Sequence, residues 1–194
     1  MVRELETPHG PARVHLHEAA NARALLILGH GAGGGITAPD LVAASNAANE
    51  ASVSVALVEQ PYRVAGRRSQ PAASTLDAAW IAVVEQLAFD RVITGGRSAG
   101  ARVACRTAAE TSSVGVVCLA FPLLPSGAPP ERTRQGELDA VEVPVLVVQG
   151  ENDRFGMPSS GASRKVVAVA GDHGLKKDRE RIATAVRDWL DGLL

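Results

Sequence analysis

The chain opens with two stretches of loose apolar–polar alternation, residues 2–6 and 12–17, separated by Thr7-Pro8-His9-Gly10-Pro11. A period of two broken by turn-forming residues predicts a β-hairpin. Six short, nearly continuous apolar runs follow: Ala24–Leu28, Val53–Val58, Val92–Thr94, Val114–Ala120, Val145–Gln149 and Lys165–Ala170. Runs of this length are the pattern of strands buried on both faces. Between them the period lengthens to that of a helix. Asp40–Ala51 starts after Pro39, with Asp40 as its expected cap. Ser74–Ala88 spaces Leu76, Trp80, Val83, Val84 and Leu87 along one side, and Ala99–Glu110 is alanine-rich. Lys176–Leu194 sets Ile182, Val186, Trp189, Leu190 and Leu193 on one stripe. Strands alternating with helices require crossover connections, hence a mostly parallel sheet covered on both faces. Right-handed crossovers make it a doubly wound α/β fold.

Two stretches are expected to be irregular, Gln60–Pro71 and Pro122–Val143. Each follows a strand and so lies at the carboxyl edge of the sheet, where open α/β folds bind ligands. The first carries Arg63, Arg67 and Arg68, and Arg97 lies at the same edge. These arginines are candidate binders of a substrate carboxylate or phosphate, and the competing expectation is a solvated loop or ion pairs that fix it. Phe121 is a candidate wall of an acyl pocket, or simply the end of a strand.

Gly96-Arg97-Ser98-Ala99-Gly100 sits between the third parallel strand and the alanine-rich helix. G-x-S-x-G in a strand–turn–helix setting is a nucleophile elbow. The sharp turn lifts Ser98 out of the backbone, the glycines avoid the neighbouring strand and helix, and the helix N-terminus faces developing negative charge. His30-Gly31-Ala32-Gly33-Gly34-Gly35 follows the first parallel strand. So small a loop lets backbone N–H groups approach an oxyanion, with Ala32, Gly33 and Ala99 the expected donors. His30 is expected to brace the loop. Gly29–Gly34 also fits the dinucleotide fingerprint G-x-G-x-x-G, with Glu59 for a ribose. The helix then starts too late, and Glu59 stands further away than the ~20 residues that fingerprint needs.

Asp153, in Gly150-Glu151-Asn152-Asp153, and His173, in Gly171-Asp172-His173-Gly174, each lie just past a strand. The order Ser98, Asp153, His173 is that of a Ser–Asp–His triad on an α/β sheet. Glu151 and Asp172 are the alternative acids. Cys105 and Cys118 fall on the helix and strand patterns and are expected to be core thiols. His15 and His17 share a strand face without a third metal ligand near them in sequence.

Composition narrows the field. Twenty Lys and Arg balance 21 Asp and Glu in 194 residues, a net charge of −1. That excludes the strongly positive field of a dedicated nucleic-acid binder. The hydrophobic share of 46% supports a core, and with 3% aromatics that core must be aliphatic. The length fits one domain. No apolar run reaches the ~18–20 residues of a membrane span, and Met1–Gly10 lacks the apolar region of a signal peptide. A cytoplasmic protein is expected.

With these motifs in place, the chain resembles the α/β-hydrolase superfamily, and within it the small cap-less branch described as dienelactone-hydrolase-like. VVQGENDRFG and AGDHGLK are similar to that branch's acid and histidine loops, and EQPYRVAGRR to a further loop at the same edge. The resemblance implies Ser98 as nucleophile, His173 as base and Asp153 as its orienting acid, with no metal or organic cofactor. The implied substrate is a small-molecule ester or thioester at an open site, because the segment before Val145 is too short for a lid domain. True dienelactone hydrolases use cysteine where this chain has Ser98. The alternative is a non-catalytic scaffold that keeps the fold.

Overall fold

The computed structural model describes residues 1–194, the side chain of Pro130 excepted. The strands are β1 (Val2–Leu5), β2 (Ala12–His17), β3 (Ala24–Gly29), β4 (Val53–Glu59), β5 (Val92–Arg97), β6 (Gly115–Leu119), β7 (Val145–Gly150) and β8 (Arg164–Val169). They form an eight-stranded sheet in the order β1-β2-β4-β3-β5-β6-β7-β8. β1 and β2 pair antiparallel, as do β2 and β4, and every pairing from β4 through β3 to β8 is parallel. The helices are α1 (Pro39–Glu50), α2 (Pro61–Val64), α3 (Ala73–Leu87), α4 (Ala99–Arg106), α5 (Gln135–Asp139) and α6 (Arg179–Leu193).

The two-residue period of the strands sorts their side chains into two layers. Leu26 and Leu28 of β3 join Leu41, Ala44 and Ala48 of α1 and Ile182, Val186 and Leu190 of α6 in one buried cluster. Leu25 and Ile27 of the same strand join Leu76, Trp80 and Val83 of α3 in another. Ala101, Ala104 and Cys105 of α4 pack with Val116, Cys118, Val145 and Val147 and with Leu138 of α5. The doubly wound α/β arrangement therefore follows from strands apolar on both sides.

The boundaries differ from the sequence pattern in four informative places. β5 runs on through Gly95 and Gly96 to Arg97, carrying the small residues of the elbow into the sheet. α4 ends at Arg106 rather than Glu110, and just beyond it the hydroxyls of Thr107 and Thr111 bond carbonyls four residues back. The two stretches expected to be irregular each contain a helix, α2 after Pro61, and α5 preceded by a 3-10 turn at Pro130–Arg132. Proline at the first helical position supplies the required φ where its missing N–H costs nothing. Asp40 is not a cap. Ala38 caps α1, and the Asp40 carboxylate in the first helical turn is drawn to Arg97 instead.

Candidate active site

β5 ends at the centre of the sheet, and the chain turns into α4 through Ser98, whose φ and ψ are 51° and −106°. A non-glycine residue in this region carries about 1–3 kcal/mol of strain. The turn can be that sharp because β3 and α4 touch at the backbone. A Cβ on Gly96 would stand 2.5 Å from the Gly29 carbonyl oxygen, and one on Gly100 would stand 2.6 Å from the Gly29 carbonyl carbon. The Ser98 N–H is anchored on the Leu119 carbonyl at 2.9 Å.

The loops after β7 and β8 meet beside this turn. The Glu151 N–H donates to Val169 O and the Asn152 N–H to Gly171 O, both at 2.9 Å. Gly150 permits this approach, since a Cβ there would lie 2.8 Å from the Asp172 carbonyl carbon. Asp153 and His173 are thereby brought together. His173 Nδ1 is 2.8 Å from Asp153 Oδ2, and His173 Nε2 is 3.0 Å from Ser98 Oγ. Because a carboxylate can only accept, the network assigns the proton to Nδ1 and leaves Nε2 to accept from the serine hydroxyl. The Asp153 side chain is 1% exposed and that of His173 20%. The other Asp153 oxygen accepts the Phe155 N–H at 2.9 Å. Phe155 also packs edge-on against His173, with ring centroids 4.5 Å apart. Asp172, the alternative acid, is exposed and accepts from the Gly174 N–H instead, and that bond holds its carboxyl below the usual range. Glu151 is exposed.

Two supporting residues carry no motif of their own. Gln149, fully buried on β7, donates through Nε2 to Asp153 Oδ2, Phe121 O and Gly156 O at 2.8–3.0 Å. Arg97 ties three segments together. Its Nη2 donates to the His173 carbonyl at 2.8 Å, and its Nε stands 2.9 Å from Asp40 Oδ2. Neither Asp40 oxygen has an aligned hydrogen-bond donor, so this contact is a charge pair. Burial pushes the Asp40 carboxyl up, and the Arg97 charge opposes the shift. In sequence Gln149 is an ordinary strand residue, and Arg97 is a candidate anion binder rather than a brace.

The glycine-rich loop faces Ser98 from β3. Neither Ala32 N–H nor Ala99 N–H donates a hydrogen bond among the described residues. Both residues line the cleft with Gly33 and Ser98. Tyr62 of α2 holds the loop by donating to Ala32 O at 3.2 Å. His30 is buried under it. The Gln60 N–H donates to His30 Nε2 at 3.2 Å, which fixes the proton on Nδ1, and Nδ1 bonds Gly31 O at 2.8 Å. Burial lowers the His30 pKa and keeps the ring neutral.

The cleft has a volume of about 650 Å³. Of the candidate binding residues, Arg97 lines it but is committed to Asp40 and the His173 loop. Arg67 lines a separate cavity of about 170 Å³ beside Tyr62. Arg63 lies on α2, where its charge acts on His30, and Arg68 is exposed. The helical turn Pro61–Val64 interrupts the stretch expected to be irregular and carries Arg63 away from the cleft lining. Phe121 is fully buried against α4, α5 and β7 rather than in the wall. Instead Arg102, Arg134, Arg154 and Lys176 reach the cleft.

The remaining candidates fall elsewhere. Glu59 lies 3.1 Å from His15 Nε2 at the β2–β4 pairing and is not turned to the glycine loop. Cys105 and Cys118 are buried with their sulfurs 3.4 Å apart, and that contact together with burial pushes the Cys118 thiol up. No group of three or more His, Cys, Asp or Glu that could hold a metal occurs among the described residues. No helix among them is long and apolar enough to cross a membrane.

The model of a family described as alpha/beta hydrolase domain matches residues 22–190. No curated protein matches the chain. Among solved structures, Est1E from Butyrivibrio proteoclasticus is 17% identical with a TM-score of 0.81, over 99% of this chain and 98% of that one. A lidless α/β serine hydrolase from Xanthomonas campestris is 19% identical with a TM-score of 0.77, over 97% and 94%. A dienelactone hydrolase from Anabaena variabilis is 15% identical with a TM-score of 0.78, over 99% and 96%. At these identities the likeness is one of fold.

Proposed function

From the premise that the chain belongs to the alpha/beta hydrolase domain family, we propose that it is a serine hydrolase cleaving a carboxylic ester or thioester of a small acyl substrate. The observation that carries this reading is the hydrogen-bonded line from Ser98 Oγ through His173 to Asp153, at 3.0 and 2.8 Å. In the first step Ser98 Oγ bonds to the scissile carbonyl carbon while His173 Nε2 takes its proton. Asp153, held by Gln149 and the Phe155 N–H, orients the ring and stabilises the imidazolium. The carbonyl oxygen becomes an oxyanion held by the N–H groups of Ala99 and Ala32, with Gly33 beside them. A donor of this kind lowers the barrier by about 3–4 kcal/mol. The C–O or C–S bond then breaks, and the leaving group carries away the proton from His173. Water, deprotonated by His173, bonds to the acyl carbon, the bond from that carbon to Ser98 Oγ breaks to release the carboxylic acid, and Ser98 Oγ recovers the proton from His173. None of these steps calls for a metal or an organic cofactor.

The direct test is the mass of the intact protein after exposure to a fluorophosphonate, for wild type and Ser98→Ala. A single adduct on wild type and none on the variant is the expected result. Folded wild type that stays unlabelled would remove the hydrolase reading in favour of a scaffold that keeps the fold.

A further inference from the structure

The wall of the cleft around Ser98 carries five cationic side chains, Arg97, Arg102, Arg134, Arg154 and Lys176, and no Asp or Glu among its described residues. The whole chain has a net charge of −1, so this is a local concentration of positive charge.

Two of the five are neutralised. Arg97 is paired with the buried Asp40. Arg102 is bound through both Nε and Nη2 to the Glu137 carboxylate. The same Glu137 lies 3.6 Å from Arg106, so its charge is already shared.

The other three have no carboxylate within ion-pair distance among the described residues. Arg134 is partly buried and donates to backbone, to Pro122 O at 3.0 Å and weakly to Leu124 O at 3.5 Å. Burial and the fields of Arg102 and Arg106 disfavour its charge, and the Glu137 carboxylate, beyond ion-pair distance, favours it. Arg154 lies over the Phe155 ring at 4.8 Å. Lys176 follows His173 by three residues and feels the charge of Asp172 from beyond ion-pair distance, while the Asp172 carboxylate accepts the Gly174 N–H. These cations come from three different segments, the turn before α5, the acid loop and the histidine loop, and reach the same cleft as Ser98. Arg154 and Lys176 are exposed and Arg134 is half-buried, so their charges add across an open cleft and attract an incoming anion.

Resting on the serine hydrolase reading, we propose that the substrate carries a multiply charged anion of the phosphate type outside the scissile bond, held by Arg134, Arg154 and Lys176. Three cations outside any ion pair among the described residues match a phosphate monoester dianion better than a single carboxylate. The guanidinium groups would hydrogen-bond its oxygens, and Lys176 would act as a point charge.

Two readouts on the full chain test this. The first is calorimetric binding of phenyl phosphate at low salt to wild type, to R134Q/R154Q/K176Q, and to Arg187→Gln as a control on α6, where Arg187 pairs with Glu50 and lies outside the cleft lining. The second is kcat/KM for esters of one acyl group whose leaving alcohol bears a hydroxyl, a carboxylate or a phosphate. The expected order is phosphate, then carboxylate, then hydroxyl. The phosphate advantage should be about tenfold or more, as for charge-assisted hydrogen bonds, and should shrink on raising salt. In the triple variant both the binding and the preference should collapse, while Arg187→Gln keeps them. Ser98-dependent labelling with equal rates on the three esters and no phenyl phosphate binding would overturn the anion site alone. Phenyl phosphate binding that depends on the three cations, without any labelling, would remove the hydrolase reading and leave the anion site standing.

Discussion

Arg97→Leu isolates the pair that holds the site to the fold. Asp40 is 0% exposed, and Arg97 is the cation paired with it. Removing that cation leaves a buried carboxylate without a counter-charge, which costs about 3–5 kcal/mol. For a chain of this size that corresponds to a fall in Tm of about 6–20 °C. The loss must depend on pH. Burial already raises the Asp40 carboxyl above its ordinary 3.8, and without Arg97 it rises further. Above 3.8 the unfolded chain releases that proton while the folded chain retains it. The folded state then binds more protons than the unfolded one, so stability falls as pH rises. The gap between variant and wild type should therefore be smallest near pH 4 and widen towards neutrality, levelling off once the folded carboxyl has also ionised. Adding Asp40→Asn removes the stranded charge, so the double variant should recover most of the stability. Thermal and urea unfolding of the three proteins from pH 4 to 8 measures this directly. The reasoning fails if Arg97→Leu lies within 1 kcal/mol of wild type at neutral pH, or if the double variant is no more stable than the single one.

Three further outcomes follow from the geometry. Ser98→Gly should raise stability by about 1 kcal/mol in urea unfolding while abolishing fluorophosphonate labelling, because glycine relieves the backbone at φ 51° and removes the hydroxyl. His30→Gln should lose about 1–2 kcal/mol at pH 7.5 with its buried hydrogen bonds. Since the folded His30 pKa is lowered, its stabilisation is present above 6.5 and is lost as pH falls through the folded value. The variant should then show a shallower acid loss than wild type. Gln149→Leu removes the side-chain donor shared by Asp153, Phe121 O and Gly156 O. It should cost about 1–3 kcal/mol in chemical unfolding and slow labelling of Ser98 in a stopped time course, with no loss of Ser98 itself.

The fold was legible because its signals are local. Runs such as Ala24–Leu28 and Val145–Gln149 are apolar on both faces, and helices between them leave little choice but a parallel sheet. Misreadings came from short segments. The helical turn at Pro61–Val64 is four residues long, too short to show a period, and Asp40 looks like a cap to any reading that cannot see Arg97. The elbow glycines were readable as signs of close approach to a neighbouring strand and helix, whereas the approach of Gly150 to the Asp172 carbonyl, between loops distant in sequence, was not.

What the chain determined alone is the order of its parts: a glycine-rich loop after one strand, a serine between glycines after another, an acid and a histidine each beyond a strand end. Side-chain period and turn chemistry act within a few residues, so they survive in the linear text. The tertiary structure decided which groups meet. It placed Asp153, not Asp172 or Glu151, within hydrogen-bonding distance of His173, buried Gln149 and Asp40 behind the cleft, turned Arg67 to another cavity and brought Arg134, Arg154 and Lys176 to the cleft that Ser98 lines. Those outcomes depend on the packing of segments distant in sequence, where a carboxylate goes to the cation that the fold places beside it and a cation left without one stays open to a ligand.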